Sequence, residues 1–254
     1  MSERRVRDFF SRHADDYARS RSHAEGGDLS RLMELLAPTP DARALDVATG
    51  TGFTAMALAR LAGSVEAVDI TAEMLSKARE MALREGISNL AFGEGEATHL
   101  PFKSRAFDVV TSRRAPHHFP DVASFVREAT RVLKAGGRLG IADMSPVEGT
   151  QYHVNLMETL RDSSHARALT LKEWAGTFES AGLEVMSAEL MPEFISFERW
   201  LSPVPPGGEE ERAIVRACVE FPDRVNALMN LKFDGARVGG FVKTRAVVVG
   251  RRVA

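Results

Sequence analysis

The chain has 254 residues, 35 acidic and 33 basic side chains, and a formal net charge of −2. That length fits one large domain with an ample core, and the balanced charge lacks the basic excess of a nucleic-acid binder, so no nucleic-acid partner is expected. The single cysteine, Cys218, excludes an intrachain disulfide and a cysteine zinc cluster. No apolar run approaches a membrane span, and no apolar h-region follows the N-terminal arginines, so a cytoplasmic location is expected.

Residues 3–21 have helical spacing, with Val6, Phe9, Phe10, His13 and Tyr17 on one stripe beside an Arg/Asp face. Such a helix either packs on the core or closes as a lid with Tyr17 at its mouth. Gly26 and Gly27 loosen the chain before a second helix, 29–36, which Pro38 and Pro40 end. A short apolar run then reads as a buried strand ending at Asp46 and Val47. Gly50 and Gly52 follow, and a helix begins at Thr54 and stops by Gly63. Strand, glycine turn and helix form the first half of a βαβ unit. Glycine is needed where a Cβ would block the turn or a ligand against the backbone. The helix N-terminus aims unpaired N–H groups and partial positive charge over the loop. A nucleotide or nucleoside cradle has these parts, although a Gly-x-Gly turn by itself is equally served by structure alone.

A second buried strand, 65–68, ends at Asp69, about 20 residues past the first, where such folds place an acid for ribose hydroxyls. A carboxylate accepts from both vicinal hydroxyls. The alternative for Asp69 is a helix cap, for which Thr71 is better placed. Then come a helix at 72–84, a strand at 89–92, a loop at 93–102 and a strand at 106–112. Asp121 caps a helix whose apolar positions Val122, Phe125, Val126, Ala129, Val132 and Leu133 share one face. Gly136 and Gly137 end it ahead of a fifth strand, 139–142. This alternation predicts a parallel, doubly wound α/β sheet.

Beyond Asp143 the rhythm changes, with helices at 152–160 and 171–181, a sixth strand at 183–188 and a seventh at 247–249. Between those strands lies an insertion, 192–242, with a Pro/Gly loop at 202–208 and helices at 209–220 and 224–232. Insertions of this kind cover a ligand-binding edge. The organisation expected is a single domain: a helical lid over 1–40, a cofactor-binding core over 41–145, and a substrate-side half over 146–254.

Five ordered segments carry a resemblance. They are Leu45-Asp-Val-Ala-Thr-Gly-Thr-Gly52, Val68-Asp-Ile-Thr71 with Met74, Gly95-Glu-Ala-Thr-His-Leu-Pro-Phe102, Phe107-Asp-Val-Val-Thr-Ser112 and Arg131-Val-Leu-Lys-Ala-Gly-Gly-Arg138. With them the chain resembles class I S-adenosylmethionine-dependent methyltransferases, small-molecule type, near the ubiquinone/menaquinone C-methyltransferase group. The resemblance implies a Rossmann-like seven-stranded sheet, mostly parallel, with an antiparallel C-terminal strand. It implies S-adenosylmethionine as cofactor, S-adenosylhomocysteine as product, no metal, and a small-molecule acceptor. Gly50 and Gly52 would admit the methionine part beside Ala48 and Thr49, with Asp46 organising the loop amides from below. Asp69 would hold the ribose, Ile70 and Met74 the adenine face, and Gly95, Glu96 and Ala97 the adenine edge. Arg113 would touch the cofactor by main chain, and Tyr17 and His118 would border it. Glu96 stands where the family more often has Asp, and Ala135 where it often has Pro.

Gly50-x-Gly52-x-x-Ala55 also satisfies a dinucleotide fingerprint, so NAD is the alternative cofactor. Against NAD stand Glu96 and the lack of a dehydrogenase acid/base set downstream. A non-catalytic nucleoside-binding scaffold of the same fold is the other alternative. Methyl transfer is an in-line displacement, so the protein positions the acceptor, excludes water and, where needed, removes a proton. His117 and His118 follow the fourth strand at the sheet's carboxyl edge and are the candidate bases, His118 preferred because the family often has His-Phe there. His153, His165, Arg114 and Arg161 either line a substrate pocket or serve surface structure, and Trp174 and Trp200 suit core anchors. No Asn/Asp-Pro-Pro-Tyr/Phe run, Pro-Cys nucleophile or magnesium-type carboxylate cluster is present, which favours a small acceptor. The sequence is compatible with a monomer or a homodimer.

Overall fold

The computed structural model describes residues 7, 10–11, 14–15, 17–19, 26–202, 204–235 and 237–253. The described N-terminal residues are largely helical; Val6, Phe9 and His13 of the predicted stripe lie outside them. The first half of the chain alternates as expected: α1 (Gly27–Leu36), β1 (Arg43–Val47), α2 (Phe53–Ala59), β2 (Ser64–Asp69), α3 (Ala72–Arg84), β3 (Leu90–Glu94), β4 (Phe107–Arg113). A 3-10 turn (Pro116–His118) leads into α4 (Val122–Val132) and β5 (Leu133–Met144). The second half holds α5 (Gln151–Arg161), α6 (Leu171–Ser180) and β6 (Leu183–Ser196). After these come α7 (Phe197–Leu201), α8 (Glu209–Val219), α9 (Asp223–Met229), β7 (Lys232–Asp234) and β8 (Arg237–Arg252).

The strands join in the order β3-β2-β1-β4-β5-β8-β6, with β7 beside β8. β1 to β5 pair in parallel, whereas β8 runs antiparallel to both β5 and β6. This is the expected Rossmann-like sheet with its last strand reversed. Successive side chains on a strand face opposite sides, and the core divides accordingly. Leu45, Val110, Ile141 and Val248 join one apolar layer, while Ala44, Val109, Ala142, Val247 and Val249 join the other. Asp121 caps α4 by accepting from Ser124 N at 2.9 Å, and Phe125, Val126, Ala129 and Val132 beyond it are fully buried. Full burial of a large apolar side chain stabilises by about 1.5–3 kcal/mol.

Three expectations change. β6 and β8 are far longer than 183–188 and 247–249, because they continue pairing with each other as an arm past the sheet, from Leu183↔Arg252 to Ser196↔Gly240. The insertion therefore spans 197–236 rather than 192–242, and its last part holds the short β7. Along the arm Glu193 pairs with Arg245 (2.6 Å) and Pro192 sits on the edge strand, so no apolar run marks it. Finally, β5 begins at Leu133 with a bulge opposite Phe107–Val109, which absorbs Gly136 and Gly137 into the strand.

Candidate active site

The strand order reverses between β1 and β4, and open α/β sheets bind ligands outside the carboxyl ends of their strands at such a point. The loop from β1 to α2 is bent there by three residues with positive φ: Ala48 (55°), Gly50 (55°) and Gly52 (87°). Alanine rarely adopts this conformation, and such strain collects at functional loops. The two glycines differ in purpose. A Cβ on Gly50 would meet nothing within 4 Å, whereas one on Gly52 would lie 3.1 Å from the Cβ of Ala78. Gly50 thus borders open space, and Gly52 lets α2 pack against α3.

Asp69, at the end of β2, accepts from Gly50 N (2.8 Å) and Thr71 N (2.9 Å). It is therefore Asp69, not Asp46, that takes the loop amide. Asp46 instead accepts from the hydroxyls of Thr49 and Thr111, each at 2.7 Å, and is 1% exposed. Burial pushes its pKa up to about 6, against those two hydrogen bonds. Burial likewise raises the pKa of Asp69, against the Gly50 and Thr71 amides. The hydroxyl of Thr71 makes no cap bond to α3; it turns to the Asp69 carboxylate, as the Thr71 amide does.

One cleft, with about 1060 Å³ of atom-free space including its mouth, opens above this loop. Tyr17, Ala48, Thr49, Gly50, Asp69, Ile70, Met74, Gly95, Glu96, Ala97, Arg113 and His118 all line it. Asp46 and Gly52 lie behind the loop, outside the lining, and His117 lies beside His118, their ring centroids 4.0 Å apart. Phe10 also lines the cleft and meets the His118 ring edge-on at 5.0 Å. Arg114, a pocket candidate from the sequence, lines it too, and Thr51, Phe53, Thr54, Phe119 and Pro120 are among the wall residues that sequence patterns did not mark. Phe53 and Phe119 sit where an apolar residue usually denotes core, so no sequence signal separates them from it. Among the described residues no three His, Cys, Asp or Glu side chains are arranged to hold a metal ion.

Two buried polar groups stand beside the cleft. Asp28, on α1, accepts Nε and Nη2 bonds from both Arg113 and Arg114, at 2.7–3.0 Å. Burial opposes ionisation of Asp28, but the two guanidiniums outweigh it and hold its pKa well below the usual carboxylate range. Arg114 lines the cleft with its φ at 52°, another strained position. In the second group, His117 pairs through Nδ1 with Asp143 (2.6 Å), and His118 Nδ1 meets Ser164 O (3.0 Å) and Ser164 Oγ (3.1 Å).

The remaining candidates fall elsewhere. His165 bonds Asn155 Oδ1 through Nε2 (2.8 Å), and His153 packs on Phe221, its ring 4.7 Å away; neither lines the cleft. Arg161 is engaged by Glu158 (2.7 Å), which also accepts from Lys243 and Trp200. Trp174 and Trp200 are core anchors, 1% and 3% exposed. Among the described residues no helix is long and apolar enough to cross a membrane.

The reversed last strand and the glycine-turn cleft over the strand ends define a Rossmann-like ligand-binding protein. A family model described as a methyltransferase domain matches residues 38–195. The chain belongs to that family, and its class is that of S-adenosylmethionine-dependent methyltransferases. It is 34% identical over 208 residues to the uncharacterized methyltransferase YcgJ of Bacillus subtilis, covering 81% of this chain and 82% of that protein. The solved YcgJ structure matches with a TM-score of 0.83 at 28% identity, over 89% of this chain and 98% of that one. A solved structure from Bacillus halodurans C-125 has a TM-score of 0.85 and 33% identity, over 90% of this chain and 100% of that one. The ubiquinone/menaquinone biosynthesis C-methyltransferase UbiE of Brucella canis is 40% identical over 123 residues, 46% of each chain.

Proposed function

We propose that the cleft holds S-adenosylmethionine beside a small-molecule acceptor, and that His118 removes the acceptor's proton. The observation that carries this is the meeting of Gly50, Asp69, Glu96 and His118 around one cleft. The residues present suit the cofactor. Gly50 borders open space that a Cβ would occupy. An ionised carboxylate offers about four lone-pair sites, and Asp69 spends two of its own on Gly50 and Thr71. The Thr71 hydroxyl and the Ile70 amide also bear on this carboxylate, so ribose hydroxyls would share its oxygens with them. Ile70 and the buried Met74 give an apolar face for a purine, and Glu96 an acceptor for an amino edge.

When bound, the cofactor supplies an electrophilic methyl group on a sulfonium. The chain's own residues then orient the acceptor, keep water out and accept a proton. Phe10, Phe53 and Phe119 exclude water, and His118 sits among them as the base. His117 has a carboxylate partner but no place in the lining, which favours His118 over its neighbour. The likeness to UbiE covers less than half of either chain, so a quinone precursor is one acceptor among several small molecules.

Calorimetric titration with S-adenosylhomocysteine, run beside NAD, tests the cofactor assignment. Binding of the first and not the second is expected. NAD binding alone would overturn it in favour of a dehydrogenase, and binding of neither would overturn the cofactor assignment. Asp69→Ala should lower S-adenosylhomocysteine affinity by about 1.5–3 kcal/mol for each lost charged hydrogen bond; unchanged affinity would remove Asp69 from the ribose site.

A further inference from the structure

The polar residues between α5 and α6 reach under the base. Asp162 accepts from Ser164 N (2.8 Å) and from the Ser164 hydroxyl (2.6 Å). That hydroxyl has one hydrogen, now given to Asp162, so toward His118 Nδ1 its oxygen is an acceptor. The other partner of Nδ1 is the carbonyl oxygen of Ser164, which only accepts. Both contacts therefore require the hydrogen to be on His118 Nδ1. A neutral imidazole with Nδ1–H carries its lone pair on Nε2. No hydrogen bond among the described residues occupies that nitrogen, and the ring lines the cleft.

We infer that Asp162 and Ser164 are positioning residues that lock His118 in the Nδ1–H tautomer, making Nε2 a fixed proton acceptor for an acceptor substrate that must lose a proton on methylation. The inference rests on the methyl-transfer reading for what occupies the cleft, but the tautomer lock rests on hydrogen bonds alone.

The chemistry balances. The acceptor's O–H, N–H or acidic C–H gives its proton to Nε2 as the new acceptor–carbon bond forms and the methyl–sulfur bond breaks. The electron pair of that broken bond stays on sulfur, which becomes the neutral thioether of S-adenosylhomocysteine. The imidazolium keeps Nδ1–H on Ser164, with the Asp162 carboxylate one hydroxyl away. Acceptors with no proton to lose, such as a thioether or a tertiary amine, would have no use for this arrangement.

The surroundings are consistent with a base that is empty before it acts. Burial, with His117 adding to it, pulls the pKa of His118 down to about 3, while Asp162, Ser164 and Asp143 pull the other way. The titratable groups around it are His117 on its own turn, Asp143 on β5, Asp162 with Arg161 beside it, His165, and Tyr17 from the N-terminal residues. The Tyr17 phenol, pushed up to about 12 by burial and by Asp162, stays protonated and does not compete as a base.

The test is a two-bond proton–nitrogen correlation spectrum of the histidine rings in the 15N-labelled full chain at neutral pH, with His118 assigned by loss of its signals in His118→Gln. The expected result is a protonated Nδ1 and a bare Nε2 on His118, retained in Ser164→Thr, which keeps the hydroxyl. Asp162→Ala frees the Ser164 hydroxyl to turn toward the ring, so a mixture of tautomers is expected there. An Nε2-protonated His118 in the wild type, or an unchanged tautomer in Asp162→Ala, would overturn the inference. Titrating the same samples with S-adenosylhomocysteine keeps the questions apart. Equal binding in wild type and Asp162→Ala supports an effect confined to the ring. No binding by the wild type overturns the cofactor reading and leaves the tautomer result standing.

Discussion

Asp28 holds two arginines beside the cleft with four hydrogen bonds while being 3% exposed. Removing one partner of a buried ion pair strands the other charges and costs about 3–5 kcal/mol. Asp28→Ala should therefore lower unfolding stability by that order, read from urea midpoints; a loss below about 1 kcal/mol would mean solvent or neighbours take over the arginines. The pH dependence has a definite sign. The folded pKa of Asp28 is depressed, so its contribution is full above the ordinary carboxylate range and is lost as pH falls below that range. Asp28→Asn should flatten this acid limb, and an unaltered limb would show that other carboxylates set it. Asp46 acts oppositely: its pKa, raised to about 6, means that it lowers stability as pH climbs from the ordinary carboxylate value toward 6. Asp69 was legible in the sequence because a βαβ unit fixes the spacing between strand ends. Asp28 and Ser164 were not, since their partners are 85 and 46 residues away and nothing local distinguishes them from helix-end polar residues.

Elements were legible where one face is buried and caps mark the ends. Helix α4 shows both, with Asp121 as cap and a fully buried stripe. Helix α6 has a capping box, Thr170 accepting from Glu173 N and Glu173 accepting from Thr170 N. Thr170→Ala should cost about 1 kcal/mol, within a range of roughly 0.5–2. Thermal unfolding of that variant beside the wild type checks the size, and no change would mean that the neighbouring Leu169–Ser145 contact holds the helix start by itself. The β6–β8 arm was not legible. Its apolar residues Ile195, Val238 and Phe241 pack on the insertion rather than on the sheet core, and charges such as Glu193–Arg245 at 2.6 Å break the alternation that would reveal its period. Part of the cleft wall was equally hidden: Phe119 and Pro120, in the loop after β4, follow no period at all.

At the scale of the molecule, the insertion has its own apolar cluster, in which Phe197, Trp200, Ile214, Cys218 and Met229 gather around Met157 of α5. It meets the rest of the chain through α5, through Val238 and Phe241 of β8, and through Trp200, whose indole N–H donates to the buried Glu158 at 3.1 Å. Units with few shared contacts open more readily than a central sheet. Amides of α8 and α9 should therefore exchange with solvent at a lower free energy than those of β1, β4 and β5 in a hydrogen-exchange experiment. Uniform protection would instead mark a single cooperative unit. The reversed β8 carries a different consequence. It is the last strand in sequence, yet it lies between β5 and β6 and is the sheet partner of both. During translation, a ribosome that has released the chain only as far as α9 leaves the β5 edge bare and β6 with no strand to join. Unpaired edges of this kind recruit other chains. The nascent protein is thus most open to aggregation late in synthesis, and Val247, Val248 and Val249 end that window by filling both apolar layers at once.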